Sequence, residues 1–591
     1  MTDTPASRLA ALRAGFDAAG IDALLVPRAD AFLGEYVPPS AERLAWLTGF
    51  TGSAGMALVL REAALLFVDG RYTTQAGAEC DPRLWQIHHL IEQPPANWVK
   101  QHAPGLRLGH DPDLHTEAAL ARFAEAGATL VPLPANPIDA IRSDRPAPPF
   151  GPALVHGADF AGESAAAKRE AAAAILRAEG QQAVLLADPH SVAWLLNIRG
   201  TDLAHTPLVL ARALLREDAS VTLFLEESRA DAALRAHLGE GVALRPPGDL
   251  PAALAGLANG KVRLDPDLTP ASAVAALREA GAEPVFAEDP CRLPRACKNT
   301  TEQDGARAAH ARDAVALARF LAWFARAPRD AGLTEMAAAA HLLALRAEGA
   351  QFAGESFPAI AGAGEHGAIV HYRATEATDR RIGAEEVFLL DSGAQYRDGT
   401  TDVTRTIWTG PGAPPREVRE RFTRVLRGHL ALGATRFPEG VAGPHLDAIA
   451  RRPLWEVGLD YDHGTGHGIG SFLSVHEGPA GISRAAKPVA LRPGMILSNE
   501  PGFYEPGAYG IRIENLLLVR QAAPQPGQRK SFLEFETLTL APYDRALIEV
   551  AMLTPAERAQ VDAYHARVLA EVGEKVDGAT RAWLAEACAK L

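Results

Sequence analysis

Apolar residues along this chain fall into short continuous runs, alternating stretches and helical stripes, and the runs recur in a matched order. Leu9, Leu12 and Phe16, with Arg8 and Arg13 between them, predict an amphipathic helix within Met1–Gly20. A buried strand is expected next at Gly20–Val26, then Ala45–Gly52 and a second strand over Ala64–Arg71. The same order returns as Ala183–Ala187, Val192–Gly200 and Thr222–Leu225. Each copy holds Ala-Trp-Leu, read as a turn, with a glycine six residues after the tryptophan. Strands alternating with helices predict α/β units, and the matched order predicts an internal duplication. Between the copies, Pro146–Gly157 reads as a proline-rich linker. A second break falls near Asp289–Thr301, where Thr300 or Thr301 is expected to cap a long Ala-rich helix through Trp323. Thr554-Pro555 opens a closing amphipathic helix. The expected domains are 1–144, 158–297 and 298–543, with a helical tail over 544–591.

The candidate chemistry lies in the third region, where several acids sit at the ends of apolar strands. Glu386–Gly393 is a buried strand ending in Asp391, Arg397–Gly399 makes a turn, and Thr401–Trp408 returns as an alternating strand. Asp391 and Asp402 are equidistant from the junction of 396 and 397, so a hairpin brings their β-carbons within about 5–7 Å of each other. Like charges that close need a cation or a shared proton. Thr404 and Thr406 lie on the face of Asp402. Downstream, Glu500 follows an apolar strand, and Arg512 and Glu514 alternate with Ile511 and Ile513. Ordinary surface acids on one-sided strands are the plain alternative.

The stretch Tyr461–Gly470 sets His463 and His467 among four glycines. Glycine at 464, 466, 468 and 470 costs a helix about 1 kcal/mol each, which predicts an extended backbone open to close approach. His463, Thr465 and His467 then share one face. Two core histidines in a glycine-rich loop would look the same. With Asp391, Asp402, Glu500 and Glu514, however, His467 completes a set rich in oxygen with one nitrogen. A single zinc ion prefers nitrogen or sulfur ligands, so this set suits two divalent ions about 3.5–4 Å apart, Mn²⁺ foremost, and metal-assisted hydrolysis.

Composition narrows the rest. The 591 residues, 48% hydrophobic and 22% charged, are ordinary globular protein and too many for one core. A formal charge of −13 disfavours nucleic acid as a partner. Four cysteines, at 80, 291, 297 and 588, form no C-x-x-C pair, which points to a reducing compartment. No signal-peptide core or membrane span is expected, so a cytoplasmic protein is the reading. Asp69–Tyr72 and the pair His88 and His89 are read as structural.

His371-Tyr372, Asp391–Tyr396, Thr401–Thr406, His463–Gly468, Val475–Pro479, Asn499–Gly502 and Ile511–Asn515 together resemble the motif series of the aminopeptidase P (Xaa-Pro aminopeptidase) family. That family belongs to the pita-bread metallopeptidases. The resemblance implies α/β and α+β architecture: two creatinase-like N-terminal domains before a pita-bread domain, in the long, three-domain cytosolic form. It implies Asp391, Asp402, His467, Glu500 and Glu514 as ligands of two Mn²⁺ ions, with Asp402 and Glu514 bridging. His371, His463 and His476 are similar to substrate-binding and proton-handling histidines, and Arg512 and Tyr504 to supporting residues. A homodimer is implied as well.

On this reading the substrate is a peptide with proline second, whose Xaa-Pro bond lacks an N–H. A hydroxide bridging the ions attacks, Glu500 acts as base and then proton donor, and His371 or His476 stabilises the oxyanion. A neutral imidazole donor predicts activity that falls as pH drops through about 6.5. Two departures stand out. Glu365-His366-Gly367 replaces the usual Pro-Asn-Gly, and Pro453 interrupts a predicted helix, which should kink it. Prolidase, a creatinase-like amidinohydrolase and a non-catalytic binding protein on the same fold are the other readings.

Overall fold

The unbroken apolar runs of the first region need cover on both faces, and the computed structural model, which describes residues 4–327 and 332–591, shows that they have it. Two compact units divide the chain, Met1–Arg292 and Leu293–Leu591. In the first, strands Gln86–His89, Ala64–Val68, Met56–Leu60, Ala23–Pro27, Arg107–His110 and Thr129–Pro132 lie side by side in that order. Leu24 and Val26 join one core with Ala57, Val59 and Leu66, while Ala23 and Leu25 join another with Leu58, Leu65 and Phe67. A sheet buried on both faces leaves no polar side to alternate with.

The second sheet repeats the plan with Val242–Arg245, Val221–Phe224, Arg212–Arg216, Ala183–Leu186, Lys261–Leu264 and Glu283–Phe286. In each sheet the first three strands pair antiparallel in succession, and the remaining neighbours are parallel. Identical order and directions support the duplication. The Ala-Trp-Leu segments differ from expectation: they are helical, within Arg43–Thr48 and Pro189–Leu196. Both helices end three residues after the tryptophan in a left-handed residue, Gly49 and Asn197, which adds a further point of equivalence. The second half of the expected linker is also ordered, because Ala153–Val155 pairs with Ile198–Gly200. The opening helix spans Pro5–Ala14 and Phe16–Ala19 under a Thr4 capping box, and Met1–Asp3 lie outside the described residues.

In the second unit the long helix is Thr300–Arg326. Its cap is Asn299, reciprocated by Glu302, one residue ahead of the threonines expected to do this. Thr554 does cap the helix Pro555–Val572, with proline at its first position. A six-stranded sheet runs Phe437–Pro438, Phe532–Thr537, Asn515–Gln521, Ile496–Asn499, Gly466–Gly468 and Glu477–Ile482. A three-stranded one runs Ile360–Ala363, Val387–Ser392 and Val403–Trp408. Helix Pro444–Trp455 continues through Pro453, which falls in its last turn, and ends two residues later. Among the described residues, no helix is long and apolar enough to cross a membrane.

Candidate metal centre

Asp391 and Asp402 meet through a hairpin, with a register different from the one expected. Tyr396 pairs with Gly399, so the loop is Arg397-Asp398 alone, and Asp391 faces Thr404, with Asp402 just before the returning strand. A two-residue offset keeps Asp402 on the same face as Asp391, since side chains alternate with period two. Thr404 and Thr406 share that face and are used at once. The Thr404 hydroxyl donates to Glu514 Oε2 at 2.7 Å, and the Thr406 hydroxyl to the Arg512 carbonyl at 2.9 Å. Although the strand Tyr509–Arg512 stops before Glu514, alternation carries through: Ile511 and Ile513 enter the core, and Arg512 and Glu514 turn to the acids.

The glycine-flanked histidines converge by another route than a single extended face. Only Gly466–Gly468 is strand; His463 lies in a bend, and Thr465 bonds away to Asp447 and Tyr461 at 2.6 Å each. Gly466 and Gly468 serve the close approach of neighbouring strands. A β-carbon at Gly466 would lie 2.0 Å from the Ser498 carbonyl oxygen, and one at Gly468 would lie 2.1 Å from that of Glu477. His467 Nδ1 is 3.1 Å from the Gly468 carbonyl, which assigns the proton there and leaves the Nε2 lone pair facing Glu500 Oε1 at 3.4 Å and Asp402 Oδ2 at 3.7 Å. Ser498 holds both partners, accepting from the His467 N–H at 2.9 Å and donating to Glu500 Oε1 at 3.1 Å.

A second chain runs from Asp391. Arg512 donates to Asp391 Oδ2 at 2.7 Å and to the Tyr504 hydroxyl at 2.6 Å, and Tyr504 lies 2.9 Å from His463 Nε2. His463 Nδ1 is 2.8 Å from the Gly464 carbonyl. Both ring nitrogens thus have protein partners, and His463 is joined to this chain. The His476 ring meets that of His467 edge to face at 4.2 Å. His371 is half-buried and precedes Tyr372, whose ring packs with Ile360, Leu389 and Tyr504. Of the unusual Glu365-His366 pair, His366 has a structural role: its Nδ1 is 3.0 Å from each oxygen of the buried Glu335, which the Tyr372 hydroxyl also reaches at 3.0 Å.

Asp402, His467 and Glu514 offer ligand atoms within 4.8 Å of one another. Burial pushes the Asp402 and Glu514 carboxyls well above the usual range, and the charges of Asp391, Glu500 and, for Asp402, Glu514 push them further. Burial also raises Glu500 to about 7, against the pull of Arg512. Asp391 Oδ1, Asp402 Oδ1 and Glu514 Oε1 are buried acceptors with no donor among the described residues. Four acids that share one arginine and keep three unmet oxygens fit divalent cations far better than they fit protein alone.

Residues 304–521 match Metallopeptidase family M24, residues 8–143 and 144–302 each match a Creatinase/Prolidase N-terminal domain, and 531–591 match the C-terminal region of peptidase M24. A probable Xaa-Pro aminopeptidase P of Fusarium vanettenii is 37% identical over 99% of both chains. The chain belongs to the Xaa-Pro aminopeptidase group of family M24. Aminopeptidase P2 of Arabidopsis thaliana is 36% identical across 96% of this chain and 85% of its own length. The X-prolyl aminopeptidase of Caenorhabditis elegans, described as a cytosolic enzyme with a di-nuclear active site, superposes with a TM-score of 0.94 at 34% identity over the whole of both chains. Dipeptidase PepE of Mycobacterium ulcerans, 27% identical with a TM-score of 0.51, covers only 64% of this chain with 96% of its own. The M24 fold here is the expected one, two creatinase-like N-terminal domains before a pita-bread domain.

Sequence reasoning passed over Ser498 and Arg405. Ser498 was within reach, since it stands two residues before Glu500 on a strand and so shares its face.

Proposed function

We propose that this M24 metallopeptidase removes the first residue of peptides whose second residue is proline, using two divalent ions, Mn²⁺ foremost, held by Asp391, Asp402, His467, Glu500 and Glu514, with Asp402 and Glu514 shared between them. The observation that carries the reading is the buried acid cluster with the His467 lone pair turned into it. It stands in a chain that aligns end to end with an X-prolyl aminopeptidase. When bound, the ions would supply Lewis acidity and lower the pKa of water at the site towards neutrality.

The chain's own residues do the rest. Glu500, set by Ser498, exchanges the proton of the attacking water and passes it to the proline nitrogen. That delivery matters because the nitrogen must leave as an amine and not as an amide anion. Arg512 fixes Asp391, and the Tyr504–His463 chain fixes Arg512. His476, against the His467 ring, donates to the carbonyl oxygen as charge develops there, with His371 the other candidate. The homodimer and the cytoplasmic setting belong to the same proposal; the latter is the compartment described for the nematode enzyme.

Mn²⁺-loaded protein should release the first residue from a Xaa-Pro tripeptide and leave a proline-free tripeptide intact. Cleavage confined to a Xaa-Pro dipeptide would make it a prolidase instead. His476→Ala is expected to lower kcat about 10²-fold with metal content unchanged. Full turnover in that variant would remove His476 from the chemistry.

A further inference from the structure

We infer that Arg405 and Tyr564 are positioning residues for the metal centre, so that helix Pro555–Val572 of the C-terminal region is a working part of it. The inference rests on the metallopeptidase reading and deepens it.

Arg405 stands on the same strand as Thr404 and points to the opposite side, where it is buried. A guanidinium has five N–H donors, and here all five find oxygen. Nη1 donates to the Thr404 carbonyl at 2.8 Å and the Glu514 carbonyl at 2.6 Å. Nη2 donates to Asn515 Oδ1 at 2.8 Å and the Ala541 carbonyl at 2.7 Å, with the Tyr564 hydroxyl at 3.1 Å, and Nε donates to the Pro542 carbonyl at 3.1 Å. Its plane also rests 5.1 Å from the Tyr543 ring. One side chain therefore ties together the strand after Asp402, the backbone of Glu514 and the Ala541-Pro542 segment.

Tyr564, from helix Pro555–Val572, closes this knot. Its hydroxyl is 2.9 Å from the Ala541 carbonyl and 3.1 Å from the Thr539 carbonyl, and it accepts from the Ala541 N–H at 3.2 Å. Glu514 is consequently held at both ends. Thr404 binds its carboxylate and accepts its N–H at 3.2 Å, while Arg405 binds its carbonyl. Such bracing matters because the neighbourhood is not solid. A cavity of about 150 Å³ lined by Asn499, Asn515, Tyr543 and Tyr564 lies beside the residues adjoining Glu500 and Glu514. Without the brace, the backbone on which both glutamates hang has room to move, and four mutually repelling acids supply the force to move it.

Lysine cannot replace this arginine, since three donors on a point charge cannot span six acceptors arranged around a planar fork. The test uses full-length protein stripped by chelator, and reads Mn²⁺ affinity by calorimetry, the melting temperature without metal, and kcat and KM on a Xaa-Pro tripeptide. Tyr564→Phe should weaken Mn²⁺ binding about tenfold, with kcat falling and KM little changed, and Arg405→Lys should weaken it further. Arg567→Met is the control. That arginine ties the same helix to the Thr537 carbonyl at 2.7 Å without touching the Arg405 knot, so its loss should leave Mn²⁺ affinity at the wild-type value. Wild-type affinity in Tyr564→Phe, or equal weakening in Arg567→Met, overturns the inference while leaving the functional reading intact. A wild-type protein that binds no Mn²⁺ overturns both.

Discussion

Asp402→Asn should abolish metal binding and activity while making the metal-free protein more stable. Without an ion, Asp402 is a buried carboxylate among Asp391, Glu500 and Glu514, and burial and their charges all oppose its ionisation. An asparagine removes that repulsion and gives Glu514 Oε1, which lacks a donor among the described residues, an N–H to accept. Removing one member of such a cluster is worth roughly 1–3 kcal/mol at pH 8. The pH dependence has a definite sign. Glu500 is raised to about 7, and Asp402 and Glu514 are also raised, so in the folded state they hold protons that the unfolded chain has released above about pH 4–5. Stability of the metal-free wild type therefore falls as pH rises from about 5 through 7, and the variant should show a shallower fall. Melting scans at pH 5 and 8, with and without Mn²⁺, measure all of this. Wild type gains about 2.7 kcal/mol when the ion is at 100 times its dissociation constant, and the variant gains nothing. A metal-free variant less stable than wild type at pH 8 would mean that Asp402 is satisfied by the protein itself.

Glu500→Gln separates chemistry from binding. Glutamine keeps a carbonyl oxygen for a metal and for the Ser498 hydroxyl, and loses only the ability to exchange a proton. The expected loss in kcat is about 10²–10⁴-fold, with KM and Mn²⁺ content at saturation close to wild type. Glu500→Ala, which removes the oxygen too, should lose metal as well. A kcat within tenfold of wild type in the glutamine variant would assign the proton transfer to another group, His476 being the next candidate.

Much of this centre was legible because period-two alternation survives interruption. Ile511, Arg512, Ile513 and Glu514 sort correctly even though the strand ends at Arg512, and Thr404 and Thr406 fall on the acid face as expected. Register was harder. The Asp391–Asp402 pairing was placed by symmetry about the turn, yet a two-residue loop at Arg397-Asp398 moved the partner of Asp391 to Thr404. One residue of loop length shifts every pair and leaves no mark in hydrophobicity. The Ala-Trp-Leu helices were misread because six to eight residues seldom show a helical period, and their stops were visible only as Gly49 and Asn197. Arg405 was hidden for another reason: in a strand it passes for an exposed polar position, and its five carbonyl, amide and hydroxyl-rich surroundings come from segments more than a hundred residues away.

Gly466 and Gly468 have no space for even a methyl group, because neighbouring backbone occupies it. The demand comes from strands crossing at close quarters and is indifferent to chemistry. A descendant of this fold that had exchanged all its acids for other residues would still have to spell glycine at those two positions. The most conspicuous part of the motif is thus a record of ancestry and architecture. Evidence that a given chain still cuts peptides has to be sought in the side chains around it.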